Sequence, residues 1–404
     1  MSAFSTPGFF PIDSVFGAPQ LTKAVKARAS GVPKRLPAGF YESKPAFQVA
    51  RNTGLFKRRY GTQQNAPIIG YGQAMKEGAA VAEENVPFIV ISQGEILPIK
   101  MADFVGLIKE SSEGSNLLID EGGIEYIGTQ VSEFQQRFID TRLAVTHLAL
   151  AQDAVYVGTA GQILPSSTGA AYTIQSGVQA THQGQLNGIL TAGWENPSTD
   201  IPTQILGLLR QAAADFAGDG PTLEYAFFGK NIPKYLFTNT ALIQYLRLNE
   251  AQNVGYIANA KMPEQGSLLN LKWVDCSALF YRQAPASTAF NANALVSGTN
   301  PSGITAPGDG TVTPIWGDDT IVFTPDPAKV DFWRTYEGHF RAPKDSQLAY
   351  SDPGRAITNF QDIRGMGAYA GVRINPPGVD IYMFDNFLPC IPAPNSIYQA
   401  VVNF

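Results

Sequence analysis

Between Ile124 and Gln152 the chain carries no Pro and no Gly beyond Gly128, and nothing else in it restricts the fold so strongly. Ile127, Val131, Phe134, Phe138, Val145 and Leu148 fall on the a and d positions of a heptad, with Thr141 between them. Gln130, Glu133, Gln136, Arg137 and Asp140 take the other faces. This spacing predicts one amphipathic helix over about 124–152, about 40 Å long. The run stops sharply at Asp153-Ala154-Val155-Tyr156-Val157-Gly158, a strand pattern. A coiled-coil strand is one home for such a helix, but the sharp stop favours a helix lying on a sheet that the next strand joins.

Charge is unevenly spread. The net charge of −5 conceals a basic segment, because residues 1–60 hold ten Lys and Arg against Asp13 and Glu42, a local +8. The remaining 344 residues carry 19 basic and 32 acidic side chains, a net −13. Prolines at 7, 11, 19, 33, 37 and 45 and the lack of periodicity predict that this segment is an extended arm without a core of its own. Such an arm calls for an anionic partner, either nucleic acid or the acidic surface of a neighbouring copy. With 16% charged residues, 39 Gly and 28 Pro, the chain is loop-rich and globular rather than fibrous or disordered. No apolar run reaches 18 residues and the first residues lack the layout of a secretory signal, so neither a membrane span nor export is expected. Cys276 and Cys390 lack zinc spacing and read as buried free thiols.

Pro67–Gly72 reads as a short strand and Val86–Ile91 as a second, which together predict a long two-stranded excursion. A lone hairpin is marginal in water, so it lies either on its own domain or against another subunit. Further on, Asp200 or Thr199 caps a helix with Pro202 in its first turn and a stripe of Ile205, Leu208, Leu209, Ala212, Ala213 and Phe216, which Gly218-Asp219-Gly220-Pro221 ends. A strand at 223–228, a two-piece helix at 232–248 and a strand at 271–275 then imply an α/β layer. Residues 284–313, rich in Ala, Ser, Thr, Asn, Gly and Pro, read as a surface insertion. Closing strands are expected at 320–324, 368–374, 379–384 and 396–402.

Catalytic patterns are sparse. His147, His182 and His339 stand apart in sequence, with no H-E-x-x-H and no paired Cys for a metal. His147, inside the long helix, reads as a structural side chain. A nucleophile elbow, a phosphate loop and a dinucleotide fingerprint are all missing from the sequence. Gly365-Met366-Gly367-Ala368-Tyr369-Ala370-Gly371 comes nearest, but it leads into a strand, where its glycines permit close packing. Asp318-Asp319 and Glu83-Glu84 are adjacent acids, which do not face each other in a strand. No catalytic residue, metal ligand or cofactor is expected.

The order of parts resembles the tailed-bacteriophage major capsid proteins, specifically the E-type major head protein family. A basic extended arm, an excursion of strands and a long helix ending in Asp153–Gly158 precede Gly193-Trp194-Glu195-Asn196-Pro197-Ser198-Thr199-Asp200-Ile201-Pro202, which opens a helix. Leu223–Gly229, Asn231–Leu246, Gly317–Phe323 and Pro377–Tyr382 continue the likeness, which covers roughly residues 60–404. The insertion at 284–313 and a weakly matching excursion depart from the pattern. The resemblance implies an α+β fold, the tailed-phage major capsid fold. It divides the chain into a basic N-terminal arm at 1–65, an extended loop at 66–105, a peripheral domain at 106–199 with the spine helix, an axial α/β domain at 200–375, and a return to the peripheral and axial sheets at 376–404.

On this resemblance, copies assemble into hexamers and pentamers of an icosahedral shell around double-stranded DNA, in the virion after assembly in the host cytoplasm. Lys23, Lys26, Arg28, Lys34, Arg35, Arg51, Lys57, Arg58 and Arg59 become candidates for inter-subunit or DNA contacts, with Arg58 and Arg59 expected to be exposed. Lys76, Glu77, Glu83 and Glu84 become candidates for extended-loop contacts, and the apolar heptad residues form the spine-helix core. Some members join subunits through a lysine and an asparagine. No such pair is matched here, and Lys76 is a candidate by position only. About 60 residues before the excursion leave no room for a built-in scaffolding domain, so a separate scaffolding protein is expected, with portal and decoration proteins as further partners and no membrane. Two other readings are an encapsulin-like cargo compartment and, in a different class, a hydrolase or carbohydrate-binding protein using aromatic-rich loops with His182, His339 or Asp319.

Overall fold

The computed structural model describes residues 36–40, 53–60, 82–100, 108–110, 117–119, 121–158, 163–164, 167–215, 222–248, 265–269, 271–282, 312–343, 360–373 and 378–404. A 3-10 turn at Ala38–Phe40 precedes β1 (Thr53–Tyr60), β2 (Ala82–Ile89) and β3 (Ile91–Lys100). The short pair β4 (Ile108–Glu110) and β5 (Leu117–Ile119) leads into α1 (Glu121–Ala151). β6 (Ala154–Gly158) then pairs with β7 (Ile163–Leu164) and β8 (Ala170–Gln175). After β9 (Gln183–Gly184) come α2 (Ile201–Asp215), β10 (Tyr225–Phe228), α3 (Ile232–Thr238) and α4 (Thr240–Leu248). β11 (Gln265–Leu268), β12 (Leu271–Asp275), β13 (Phe280–Arg282), β14 (Val312–Pro314) and β15 (Thr320–Thr324) follow. The C-terminal part holds β16 (Arg334–Glu337), β17 (His339–Pro343), β18 (Phe360–Arg364), β19 (Met366–Arg373), β20 (Gly378–Cys390) and β21 (Tyr398–Val401). The fold is α+β.

The larger core surrounds a mixed sheet of six strands in the order β11-β12-β10-β15-β21-β9. Side chains alternate across a strand, and here the alternation divides the sheet between two cores. Ala226, Phe228, Leu271, Trp273, Ile321, Phe323 and Tyr398 face the cluster that contains Ile205 and Leu208 of α2, Ile232 of α3 and Leu242 of α4. Phe227, Val274 and Val322, the intervening residues, face the other way, onto Leu148 and Leu150 of α1. Burial on both faces is why β10 and β15 read as continuous apolar runs. α2 starts where Asp200 Oδ1 accepts the Thr203 N–H at 3.1 Å, as the capping pattern predicts. Its stripe is narrower than predicted, with Ile205, Leu208 and Ala212 buried but Ala213 exposed.

α1 is 31 residues long. Val131, Phe134, Phe138, Val145 and Leu148 are buried, and Thr141 is exposed. Every residue from Ala144 to Leu150 is buried, however, so the heptad stripe is too narrow for the last two turns. Val145 joins the cluster of β2 and β20 while Ala144, Leu148 and Leu150 join the back of the six-stranded sheet. The helix end is wedged between two sheets. His147 lies within this wedge, its Nδ1 accepting the Trp316 indole N–H at 3.2 Å, a structural role.

β20 organises the second sheet, pairing antiparallel with β19 and β16, and with β3 from Phe387↔Ile91 to Gly378↔Lys100. Gly365 turns the chain from β18 to β19 at φ +66°, a left-handed conformation that favours glycine. A Cβ at Gly367 would lie 2.5 Å from Ile363, so the glycine-rich segment does serve close packing. Cys276 and Cys390 are buried and not joined in a disulfide.

Two segments differ from the sequence reading. Residues 36–40 belong to the body, not to an extended arm: Leu36 and Phe40 are buried, and Phe40 meets the rings of Phe227, Phe332 and Trp333 edge-on. The Phe40 carbonyl accepts bonds from Trp333 Nε1 at 3.0 Å and Thr335 Oγ1 at 2.9 Å. The strand paired with β2 is Thr53–Tyr60, before the 66–105 loop, whereas the strand read at 67–72 lies outside the described residues. In both places a short apolar pattern is submerged in basic and proline-rich sequence. Most of the 284–313 insertion also lies outside the described residues, and its last two residues belong to β14.

Candidate functional site

The candidate surface is built on the β1–β2 hairpin, where the sequence Thr-Gly-Leu-Phe-Lys-Arg-Arg-Tyr alternates between two environments. Phe56 and Arg58 are buried and Leu55, Lys57 and Arg59 are exposed. On β2, Phe88 is buried while Glu83, Asn85, Pro87 and Ile89 are exposed. The register sets Thr53 opposite Ile89, Leu55 opposite Pro87, Lys57 opposite Asn85 and Arg59 opposite Glu83, which gathers the exposed side chains onto one face.

The inner face is docked on the body of the same chain. Phe88 stacks on Tyr336 with ring centroids 5.0 Å apart, and Phe56 tilts against the same ring at 6.5 Å. Val145 of α1 and Phe387 and Leu388 of β20 complete this cluster. The Arg59 backbone N–H donates to the Pro392 carbonyl at 2.7 Å. Arg58 is 4% exposed, which corrects the expectation that it is a surface charge. Its Nη2 donates to the Gln175 carbonyl at 3.0 Å, its guanidinium lies 5.6 Å from the Phe56 ring centroid, and Nη1 is 3.9 Å from Glu84.

The outer face is apolar at its root and charged towards the tip. Leu55 and Ile89 are 68% and 65% exposed. Beyond them, Glu83 takes Lys57 Nζ at 2.8 Å and Arg59 Nε at 3.1 Å. The Lys57 hydrogen bond and charge, with Arg59 adding to them, hold the Glu83 carboxyl below its usual pKa. These charges are therefore satisfied within the hairpin, which leaves the aliphatic root as the unsatisfied part of the face.

A buried ionic node lies below the hairpin. Arg142 of α1 reaches Glu337 of β16 at 2.9 Å and Asp385 of β20 at 3.4 Å, where the Asp385 side chain is 0% exposed. Burial works against the charge, but the Asp385 and Glu337 carboxylates outweigh it and raise the guanidinium pKa above its ordinary value. Gln93 Nε2 donates to the other Asp385 oxygen at 3.4 Å, tying in β3. Elsewhere, His182 stacks on Tyr398 at 4.2 Å, its Nε2 lies 3.3 Å from Asp215, and Tyr398 donates to the same carboxylate oxygen at 2.6 Å. Asp319 accepts bonds from Asn231 and Tyr235, a brace across α3. His339 pairs with Asp362 at 3.0 Å. The structure thus places His182, His339 and Asp319 in three separate locations, and no group of three or more metal-ligating side chains occurs among the described residues.

No family model matches the chain, and no curated protein does. Among solved structures, it is similar to a phage-related protein from Bordetella bronchiseptica RB50, at 10% identity and a TM-score of 0.48, covering 94% of this chain and 96% of that one. A putative capsid protein of a prophage of E. coli CFT073 overlaps at 10% identity and a TM-score of 0.46, covering 94% and 98%. The mature capsid of bacteriophage PhiM1 overlaps at 12% identity and a TM-score of 0.42, covering 88% and 83%. These are distant likenesses.

Of the residues singled out from sequence, Lys57, Arg59 and Glu83 come together on the outer hairpin face, with Arg58 and Glu84 turned towards the other. Lys23, Lys26, Arg28, Lys34, Arg35, Arg51, Lys76 and Glu77 lie outside the described residues, and Ile127 falls within α1. Leu55, Ile89 and Arg142 were not singled out. The alternation at 53–60 is the signal that could have found Leu55, but Arg142 has none, because its partners are 195 and 243 residues away.

Proposed function

We propose that this chain is the major capsid subunit of a tailed bacteriophage, of the E-type major head protein kind. Copies associate into hexamers and pentamers of an icosahedral shell that encloses double-stranded DNA. Assembly takes place in the host cytoplasm with a separate scaffolding protein and a portal, decoration proteins can follow, and the finished location is the virion. In this reading the hairpin and the residues between its strands form the extended loop. The β3–β20 sheet with α1 belongs to the peripheral domain, and the six-stranded sheet with α2, α3 and α4 to the axial domain.

The observation that carries the reading is the outer face of the hairpin. Two large aliphatic side chains, Leu55 and Ile89, stand in solvent on a strand pair whose opposite face is already buried. An exposed apolar patch beside charges that satisfy one another fits a contact between subunits. The long helix wedged between two sheets supplies a rigid base for it. Negative-stain microscopy and size chromatography of the purified full chain, with and without a co-expressed scaffold, test the proposal. Rings or closed particles are expected, and a monomer under both conditions overturns it. Nucleic acid rather than folded protein in the lumen separates a phage shell from a cargo compartment.

A further inference from the structure

We propose that Arg58 is a positioning residue that clasps the charged, tip-ward part of the hairpin to the body of its own subunit and so sets the angle at which Leu55 and Ile89 are presented to a neighbouring copy. The clasp stands on the geometry of one chain, whereas its consequence for assembly rests on the shell reading. β1 supplies the cation, and the carbonyl of Gln175, the last residue of β8, receives it at 3.0 Å. The recess that admits the guanidinium is made by Gly177. Its φ of +71° favours glycine, and a Cβ there would lie 2.4 Å from both Arg58 Cζ and Nη1. The β8 end is itself held, because Ser176 N–H donates to the Asp153 carbonyl at 2.7 Å and Ser176 Oγ meets Asp153 Oδ1 at 3.0 Å, at the foot of α1. Arg58 therefore connects the hairpin to the junction of α1 and β6, a different anchor from the rings around Tyr336. A two-stranded hairpin gains its fixed pose from such outside contacts, and a charge-assisted bond in a tight recess is directional where ring packing is not.

Among the contacts described for Arg58, none leaves a buried charge behind when the cation is removed. Gln175 loses one donor to a carbonyl, and Glu84, 54% exposed, stays solvated. Loosening of the hairpin, not collapse of the subunit, is therefore expected from Arg58→Gln. The test is hydrogen exchange by mass spectrometry on the full chain, wild type and variants in the same assembly state, alongside particle yield by microscopy. In Arg58→Gln, amides at 53–60 and 82–89 exchange about tenfold faster or more while those of α1 and α2 are unchanged, and particle yield falls. Arg58→Lys, which keeps the charge but loses the planar fork, falls between. Gly177→Ala fills the recess and loosens the hairpin as Arg58→Gln does, with a backbone strain of its own at φ +71°, and in the double variant hairpin exchange is no faster than in Gly177→Ala alone, because the shared contact is already broken. Unchanged exchange in the hairpin overturns the proposal, as does a uniform rise across α1 and α2, or unchanged particle yield despite a loosened hairpin. A wild type that forms no particles removes the shell reading, while the local exchange pattern still decides the clasp.

Discussion

Arg142 brings a cation into the seam between α1 and β20, where solvent is scarce and two carboxylates take its place. A buried ion pair contributes little net stability against an apolar substitute, but losing one member leaves the other uncompensated. Arg142→Met should therefore cost about 3–5 kcal/mol, read as a lower urea midpoint, because Asp385 is stranded. Arg142→Met with Asp385→Leu should recover much of that loss, and a double variant as unstable as the single one would contradict this account. His182 gives a second expectation at this scale. Burial lowers its pKa from 6.5 and outweighs Asp215, which favours the charged ring. The folded chain thus keeps the ring neutral while the unfolded chain takes up a proton first. The stability this confers is complete above 6.5 and is lost as pH falls from 6.5 towards the folded pKa. His182→Phe, which keeps a ring against Tyr398, should lose less melting temperature than wild type between about pH 7.5 and pH 5.5.

Among the elements, α1 does the most to define the subunit. Its middle follows the stripe at Val131, Phe134 and Phe138, with Phe134 buried edge-on to Phe138 and Arg137 lying 6.0 Å from the Phe134 ring centroid. Phe134→Asp places an unpaired charge in that stripe, and the expected outcome is insoluble protein on expression, whereas Glu133→Gln on the exposed side leaves solubility unchanged. α2 depends on its cap. Asp200→Ala removes an acceptor from the Thr203 N–H and should cost about 1 kcal/mol in chemical denaturation, with no change in assembly.

For the whole molecule, the proposed shell reading turns on the two faces of the hairpin. Its inner face holds it to the subunit, while its outer face leaves Leu55 and Ile89 in water. Replacing both by Glu should change the stability of the subunit by less than about 1 kcal/mol, because neither side chain is packed, and should abolish or sharply reduce particle formation. Particles at wild-type yield would mean that this face is not an interface. The Lys57, Arg59 and Glu83 charges, satisfied among themselves, are expected to matter less, each rim charge adding little to affinity.

Local rules made much of the chain legible. Heptad spacing announced α1, a capping Asp announced α2, and apolar runs announced β10 and β15, because in each case neighbouring residues impose the geometry. Among the described residues the heptad stripe failed most plainly at Ala144–Leu150, where packing against two sheets buries the helix all round. The sequence also placed charge on Lys57, Arg58 and Arg59, and strand alternation could set Arg58 apart from the other two, but it could not say what that face would meet. Only the tertiary structure turned Arg58 inward onto Gln175 and left Arg59 outside, since the recess at Gly177 exists only once β8 and β1 meet. Likewise, only the assembled fold drew Phe40 beneath Trp333 and brought Arg142 to Asp385. Helix period and strand alternation are properties of adjacent residues, whereas the desolvation of a charge depends on what the rest of the chain brings beside it.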